Sequence, residues 1–171
     1  MKKILFLCSG LLLLLSGCVN DSKTDIKKVV ATFFKEYKGD FRAADKTLIS
    51  TELAALIDKA SARELQEAEN MKKSAFPTDK PPMIEGDIFT SLYEGQNAFT
   101  VGEITIAGSK ATVIMDFKNS LYKISWKDTV VLVQEGNGWK IDDVYYKQQE
   151  SSGSTKKQLQ QLIQAKGIPV E

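Results

Sequence analysis

The chain has 171 residues, with 23 basic and 22 acidic side chains and no histidine. The lack of histidine excludes Ser-His-Asp and Cys-His catalysis, zinc sites built from His and Cys, and a histidine pH switch, so we expect no metal site and no cofactor. The balanced charge argues against a nucleic-acid partner, because binding phosphates requires a clustered basic excess.

The N-terminal segment has the layout of a secretory signal. Lys2 and Lys3 precede an apolar stretch over residues 4–15, and polar residues 20–23 follow almost at once. A spanning helix would need roughly 20 apolar residues. A buried N-terminal helix of the folded domain is the alternative, but residues 11–15 are apolar all round and give it no polar face.

The sequence Leu15-Ser16-Gly17-Cys18 resembles the lipobox of bacterial lipoprotein precursors. The resemblance implies cleavage before Cys18, a diacylglycerol on its thiol and anchoring to a membrane that the chain does not cross. Val19 stands where an aspartate would mark inner-membrane retention, which favours the outer membrane in a Gram-negative organism. Loss of Cys8 with the signal then leaves no intrachain disulfide.

Processing would divide the chain into a signal over residues 1–17, a lipidated tether over 18–24, a domain over 25–147, and a linker with a C-terminal helix over 148–171. Without Lys2 and Lys3, the 23 basic side chains fall to 21 against 22 acidic ones. Chains of this size fold as one domain without disulfides or metals.

Helical spacing dominates the first half of the domain. One helix starts after Thr24, with an apolar stripe from Ile26 to Tyr37 facing the core, and stops near Gly39. A second covers about residues 43–75, with a possible break and cap at Ser50 or Thr51. Its expected inward residues are Leu53, Leu56, Ile57, Ala60, Leu65, Ala68 and Met71, and its expected solvated charges are Arg63, Glu64, Glu67, Glu69, Lys72 and Lys73.

The second half alternates with a period of two, which is typical of strands. We expect strands at residues 99–107, 110–118, 122–126, 129–135 and 139–146, joined antiparallel by short turns. A phase slip in the last strand predicts a β-bulge near Asp142 and Asp143. A polar linker at 147–155 and a short helix with Leu159, Leu162 and Ile163 complete the pattern.

The run Gly138-Trp139-Lys140-Ile141-Asp142-Asp143-Val144, preceded by apolar residues 129–133, resembles the final hairpin of the nuclear-transport-factor-2-like (cystatin-like) superfamily. Residues 84–89 are similar to a segment of a bacterial lipoprotein group of unknown function within it. The resemblance covers about residues 26–146. It implies an α+β cone, with N-terminal helices packed on a curved antiparallel sheet and a concave pocket. The superfamily includes enzymes, binding modules and assembly domains alike.

Five side chains are candidates for lining that pocket: Asp87, Asp116, Trp126, Asp142 and Tyr145. Each also has a plain structural interpretation. Asp87 would cap a turn after Gly86, and Asp142 would belong to the bulge. Trp139 would close the end of the core.

Three functions fit these observations. The first is a lipid-anchored, non-enzymatic envelope module that binds an unknown protein or small molecule through its concave sheet. The second is an enzyme that uses carboxylate acid/base chemistry, with Asp116 or Asp142 close to Tyr122 or Tyr145 in a deep apolar cavity. The third is an immunity-type protein that caps a toxin at the envelope. A homodimer is a further option.

Overall fold

The computed structural model describes residues 7–147 and 153–169, with side chains from residue 21 onward. It confirms the predicted fold class, an α+β arrangement of N-terminal helices, a curved four-stranded antiparallel sheet and a short C-terminal helix, consistent with a nuclear-transport-factor-2-like cone. The elements are α1 (Leu7–Glu36), a 3₁₀ turn (Phe41–Ala43), α2 (Thr51–Lys72), β1 (Ala98–Ala107), β2 (Lys110–Asn119), β3 (Ile124–Glu135), β4 (Gly138–Tyr146) and α3 (Thr155–Gln164).

Helix α1 begins earlier than the sequence suggested. Residues 18–24, expected to form a tether, lie within this helix, and no proline separates them from the domain. Burial starts at Ile26 and continues through Val30, Phe33 and Phe34, which share one face at helical spacing. No helix in the described ranges has the length and apolarity needed to cross a membrane.

The predicted break before α2 is confirmed, because the Leu53 amide donates to Ser50 Oγ at 3.0 Å and makes Ser50 the N-cap. The helix does not extend back to residue 43. Instead, a 3₁₀ turn is followed by a segment in which Ile49 pairs with Ile141 of β4. Because backbone groups of this segment form hydrogen bonds with β4, they are not available for helical hydrogen bonds, and the segment does not join the helix.

The buried face of α2 differs from the expected one in its second half. Glu64 and Glu67, expected to be solvated, are buried, whereas Leu65 is 71% exposed. Residues 53, 57, 60, 64 and 67 follow each other at steps of three and four, so the helical period itself carries the buried face onto the two glutamates. Both glutamates are therefore paired.

Hydrogen bonds from distant segments satisfy these two carboxylates. Glu64 binds Arg42 at 2.5 Å and accepts from the Ile84 amide at 2.7 Å. Glu67 pairs with Arg63 at 3.0 Å and accepts from the Ile168 amide at 2.9 Å. The two glutamates thus fasten three irregular segments to α2.

The sheet has the order β1-β2-β3-β4 with antiparallel neighbours. The predicted strands 122–126 and 129–135 are one strand, because Lys127 and Asp128 continue the ladder opposite β2. The predicted bulge is confirmed: Asp143 pairs with Val131 and Ile141 pairs with Leu132, which leaves Asp142 as the extra residue. A second bulge, between Val101 and Ile104 in β1, was not predicted.

Aromatic rings fill the space between the helices and the concave face of the sheet. The Phe33 and Phe89 ring centroids lie 4.7 Å apart, and those of Phe34 and Phe117 lie 4.9 Å apart. Helix α3 adds Leu159 and Leu162 to the same core, as its apolar spacing predicted. Most of the predicted linker, residues 148–152, lies outside the described residues.

Candidate functional site

The interior of the cone is a packed core. Its largest fully buried side chains include five phenylalanines, Phe33, Phe34, Phe41, Phe89 and Phe117. Close-packed interiors of this kind hold few voids larger than a water molecule. The concave face that we expected to bind a ligand is therefore occupied by the protein itself.

The five candidate residues do not form one site. Asp116 lies on the opposite face of the sheet from the core, in an ion pair with Lys127. Trp126 is buried and donates from Nε1 to Asp128 Oδ2 at 2.9 Å. Tyr145 is 50% exposed.

Asp142 and its neighbour Asp143 anchor other segments to the bulge. Asp142 accepts from Ser50 Oγ at 2.7 Å and binds Lys156 Nζ at 2.7 Å. Asp143 accepts from the Lys156 amide at 3.0 Å, and burial raises the pKa of its carboxyl. These contacts join the bulge to the start of α2 and the start of α3, so the two carboxylates serve the fold. They belong to the bulge, as the sequence suggested, and both are largely shielded from solvent.

The carboxylate and tyrosine pairs that the enzyme hypothesis required are not assembled in the described part of the chain. Tyr122 and Tyr145 are both at least half exposed, and no hydrogen bond joins either to Asp116 or Asp142. The deep apolar cavity that this hypothesis needed is the Phe-filled core.

Asp87 lies in one cleft, whereas Asp116 and Trp126 border a separate groove of about 390 Å³ across β2 and β3. The Asp87 Oδ1 accepts from the Phe89 amide at 2.7 Å, and the Asp87 amide donates to the Tyr93 carbonyl at 2.9 Å. The predicted turn cap is therefore confirmed. Gly86 makes the turn possible, since its φ of +75° is a region that glycine adopts without strain.

The cleft lies where α1 ends and has a volume of about 550 Å³. Hydrogen bonds fix the segment that forms one wall of the cleft to the elements on either side of it. Gln96 donates to the Phe34 carbonyl at 3.0 Å, and Asn119 donates to the Gly95 carbonyl at 2.9 Å. Aromatic faces and charged groups share the lining, which includes Phe34, Tyr37, Lys38, Asp87, Glu94 and Phe99.

Two polar groups in the cleft lining have unusual surroundings. Burial raises the pKa of Asp87 to about 6, although the Phe89 amide and Tyr37 act in the opposite direction. Burial, and then the charge of Asp87, raise the pKa of the Tyr37 phenol. The two groups are close neighbours, yet no hydrogen bond of ordinary geometry satisfies the buried Tyr37 hydroxyl.

The apolar stripe of α1 predicted Tyr37 in the core, whereas its side chain lines this cleft. The position of Tyr37 in the sequence could have indicated its place in the cleft. It is the last apolar residue of the α1 stripe and lies two residues before Gly39. A stripe that continues to the end of a helix meets the edge of the core, where a phenol can border both protein and solvent.

Among the described residues, no group of three or more His, Cys, Asp or Glu side chains is placed so that it could hold a metal ion. A scan against protein-family models, a search of curated proteins and a search of solved structures each found no match to this chain.

Proposed function

We propose that this protein is a lipid-anchored module of the cell envelope, joined to a membrane through Cys18, that binds its ligand at the Tyr37–Asp87 cleft without catalysing a reaction. The lipobox-like sequence that ends at Cys18 carries the anchoring part of the proposal. The attached diacylglycerol, with a second lipid signal such as acylation of the new amine, would provide stable attachment.

The course of α1 supports this arrangement. The helix is continuous from before Cys18 to Glu36, so at 1.5 Å per residue these two positions are separated by roughly 27 Å along its axis. Among the side chains described, which start at residue 21, the first buried one is Ile26, eight residues after Cys18. The domain is therefore held close to the anchor, while the cleft lies at the far end of α1.

The cleft supports the binding part of the proposal. A buried hydroxyl without a partner costs free energy, about 1–3 kcal/mol, unless water or a ligand satisfies it. The Tyr37 hydroxyl makes no hydrogen bond of ordinary geometry, the Asp87 carboxyl is its close neighbour, and burial raises the pKa of both groups. A ligand that hydrogen-bonds to both groups would recover that energy, which makes the cleft a better binding site than the packed cone.

Metabolic labelling with radioactive palmitate, followed by membrane fractionation, tests the anchor. The wild type should carry label and sediment with membranes, and Cys18→Ala should lose both properties. Cys8→Ala is the matched control, since it removes the chain's other cysteine from the segment that processing discards. Label that persists in Cys18→Ala, or is absent from the wild type, would contradict the anchor.

Titration of the purified protein with a fragment library, followed through the NMR signals of Tyr37 and Asp87, tests the cleft. Binding should shift both signals in the wild type, and Tyr37→Phe should weaken it because the unpaired hydroxyl is gone. Fragments that gather elsewhere on the domain would place the ligand site outside this cleft.

A further inference from the structure

The two edges of the sheet differ in whether other segments of the chain form hydrogen bonds with them. At the β4 edge, the Ser50 amide donates to the Ile141 carbonyl at 2.7 Å, and the Ile141 amide donates to the Leu48 carbonyl at 2.9 Å. Further along, the Tyr146 amide donates to the Gly153 carbonyl at 3.1 Å. Two separate segments thus cover β4.

The β1 edge has no such cover within residues 7–147 and 153–169. Strand pairing joins β1 to β2 alone, and no isolated bridge reaches its outer side. Exposed edges are usually guarded by lysine, proline or a bulge. Strand β1 is ten residues long, contains no lysine or proline, and has Glu103 as its one charged residue, beside the bulge at Gly102. The bulge leaves regular backbone on both sides, at residues 98–101 and 104–107.

Lysines of α1 and of the segment just after it line the grooves beside this open edge. A groove of about 400 Å³ lies between the two elements, with Lys23 and Lys27 on one side and Val101 and Gly102 on the other. Towards the end of α1, Lys35 and Lys38 line the cleft that Ala98 and Phe99 of β1 also border. In the groove next to the middle of β1, the only charges in the lining are the two lysines.

We infer that the open β1 edge binds an extended acidic segment of a partner protein by β-strand addition. The unpaired backbone groups of β1 would supply the main-chain hydrogen bonds that such binding uses. Lys23 and Lys27 would pair with acidic side chains of the added strand, which makes the partner acidic. A second copy of this chain fits less well, because pairing two β1 edges would bring both sets of lysines together.

Site-specific photocrosslinking in cells that produce the full-length protein tests this inference. A benzophenone amino acid placed at Thr100 or Thr105, both exposed in β1, should crosslink to one partner, and mass spectrometry should map the contact to an acidic extended segment. The same group at the half-exposed Tyr145 of β4 is the control and should give at least about tenfold less of that product.

Charge reversal tests the chemistry of the partner. The double variant Lys23→Glu/Lys27→Glu should reduce the crosslink by at least about fivefold, since each reversal converts an attraction into a repulsion. Lys28→Glu/Lys59→Glu makes the same charge change at exposed positions outside both grooves and should leave the yield unchanged.

Hydrogen exchange with a synthetic peptide of the crosslinked segment provides a second readout. The amides of β1 should exchange more slowly when the peptide is present, and those of β4 should not change. A crosslink between two copies of this chain, a crosslink to a basic or neutral segment that survives the lysine reversals, or no product above the Tyr145 control would each overturn the inference. Palmitate labelling of the same strains reports separately on the lipid anchor.

Discussion

Replacing Asp128 should destabilise this protein more than replacing any exposed carboxylate. The Asp128 side chain is fully buried, and no basic side chain pairs with it among the described residues. Three N–H groups satisfy it instead: Ser91 N at 2.8 Å, Trp126 Nε1 at 2.9 Å and Lys147 N at 3.0 Å. The carboxylate thereby joins β3 to the segment after Phe89 and to the end of β4.

The expected cost follows from the donors that Asp128→Ala would leave unpaired. Lys147 is exposed, so water can replace its partner, whereas Trp126 is buried and Ser91 is largely buried. Two unpaired donors at about 1–3 kcal/mol each give a loss of about 3 kcal/mol in the free energy of unfolding. For a chain of this size, that corresponds to a fall of about 6–12 °C in Tm. Asp128→Asn keeps one acceptor oxygen and should lose about half as much.

Urea unfolding of the variants, followed by tryptophan fluorescence and circular dichroism, measures this cost. The matched control is Asp116→Ala, which removes a half-exposed carboxylate from the adjacent strand and should change the free energy of unfolding by no more than about 0.5 kcal/mol. If Asp128→Ala is no less stable than Asp116→Ala, the three hydrogen bonds do not stabilise the fold as argued.

Two further predictions concern the candidate cleft and its supporting turn. Gly86→Ala should lower the free energy of unfolding by about 2–4 kcal/mol, because φ is +75° and the new Cβ would lie 2.6 Å from the Tyr93 ring. Gly39→Ala, at φ +86° in open space, should lower it by only about 1 kcal/mol. Thermal unfolding compares the two variants, and equal losses of stability would contradict the clash. Burial raises the pKa of Asp87 to about 6, so the native state binds the carboxyl proton more tightly than the unfolded chain does. The stabilisation that this proton provides is therefore full below about pH 4 and is lost as the pH rises through about 6. Relative to Asp87→Asn, the wild type should therefore lose about 3 kcal/mol between pH 3 and pH 7 in urea titrations, and a constant difference across this range would refute the raised pKa.

The sequence predicted much of the fold because its periodic signals are local. Turn glycines and alternating residues placed the hairpins, and the phase slip after Ile141 placed the bulge at Asp142. The break at Ser50 was likewise predicted from a capping residue alone. Each of these features depends on residues that are neighbours in the chain.

The errors arose where the structure depends on distant residues. Glu64 and Glu67 look like surface charges, and besides Arg63 one turn away, the partners that make their burial possible are distant: Arg42 and the backbone at Ile84 and Ile168. Likewise, the predicted strands 122–126 and 129–135 left Lys127 and Asp128 outside the sheet, but hydrogen bonds from remote segments allow Asp128 to stay in the ladder.

The candidate site was predicted only in part for a similar reason. Asp87 was identified by its place after Gly86, and its role as a turn cap is confirmed. Its neighbour Tyr37 directly follows α1, 50 positions earlier in the sequence, and no local pattern connects the two. Asp116, Trp126 and Tyr145 do not join this cleft, since Asp116 and Trp126 border a separate groove and Tyr145 is half-exposed on β4.

The most direct test of the account is the mass of the N-terminal fragment of the protein purified from the membranes of its native cells. We expect the polypeptide to begin at Cys18 and to carry a diacylglycerol on the thiol, with residues 1–17 absent. A polypeptide that begins at Met1, with an unmodified Cys18, would contradict the proposal that this domain is held at the envelope by a lipid.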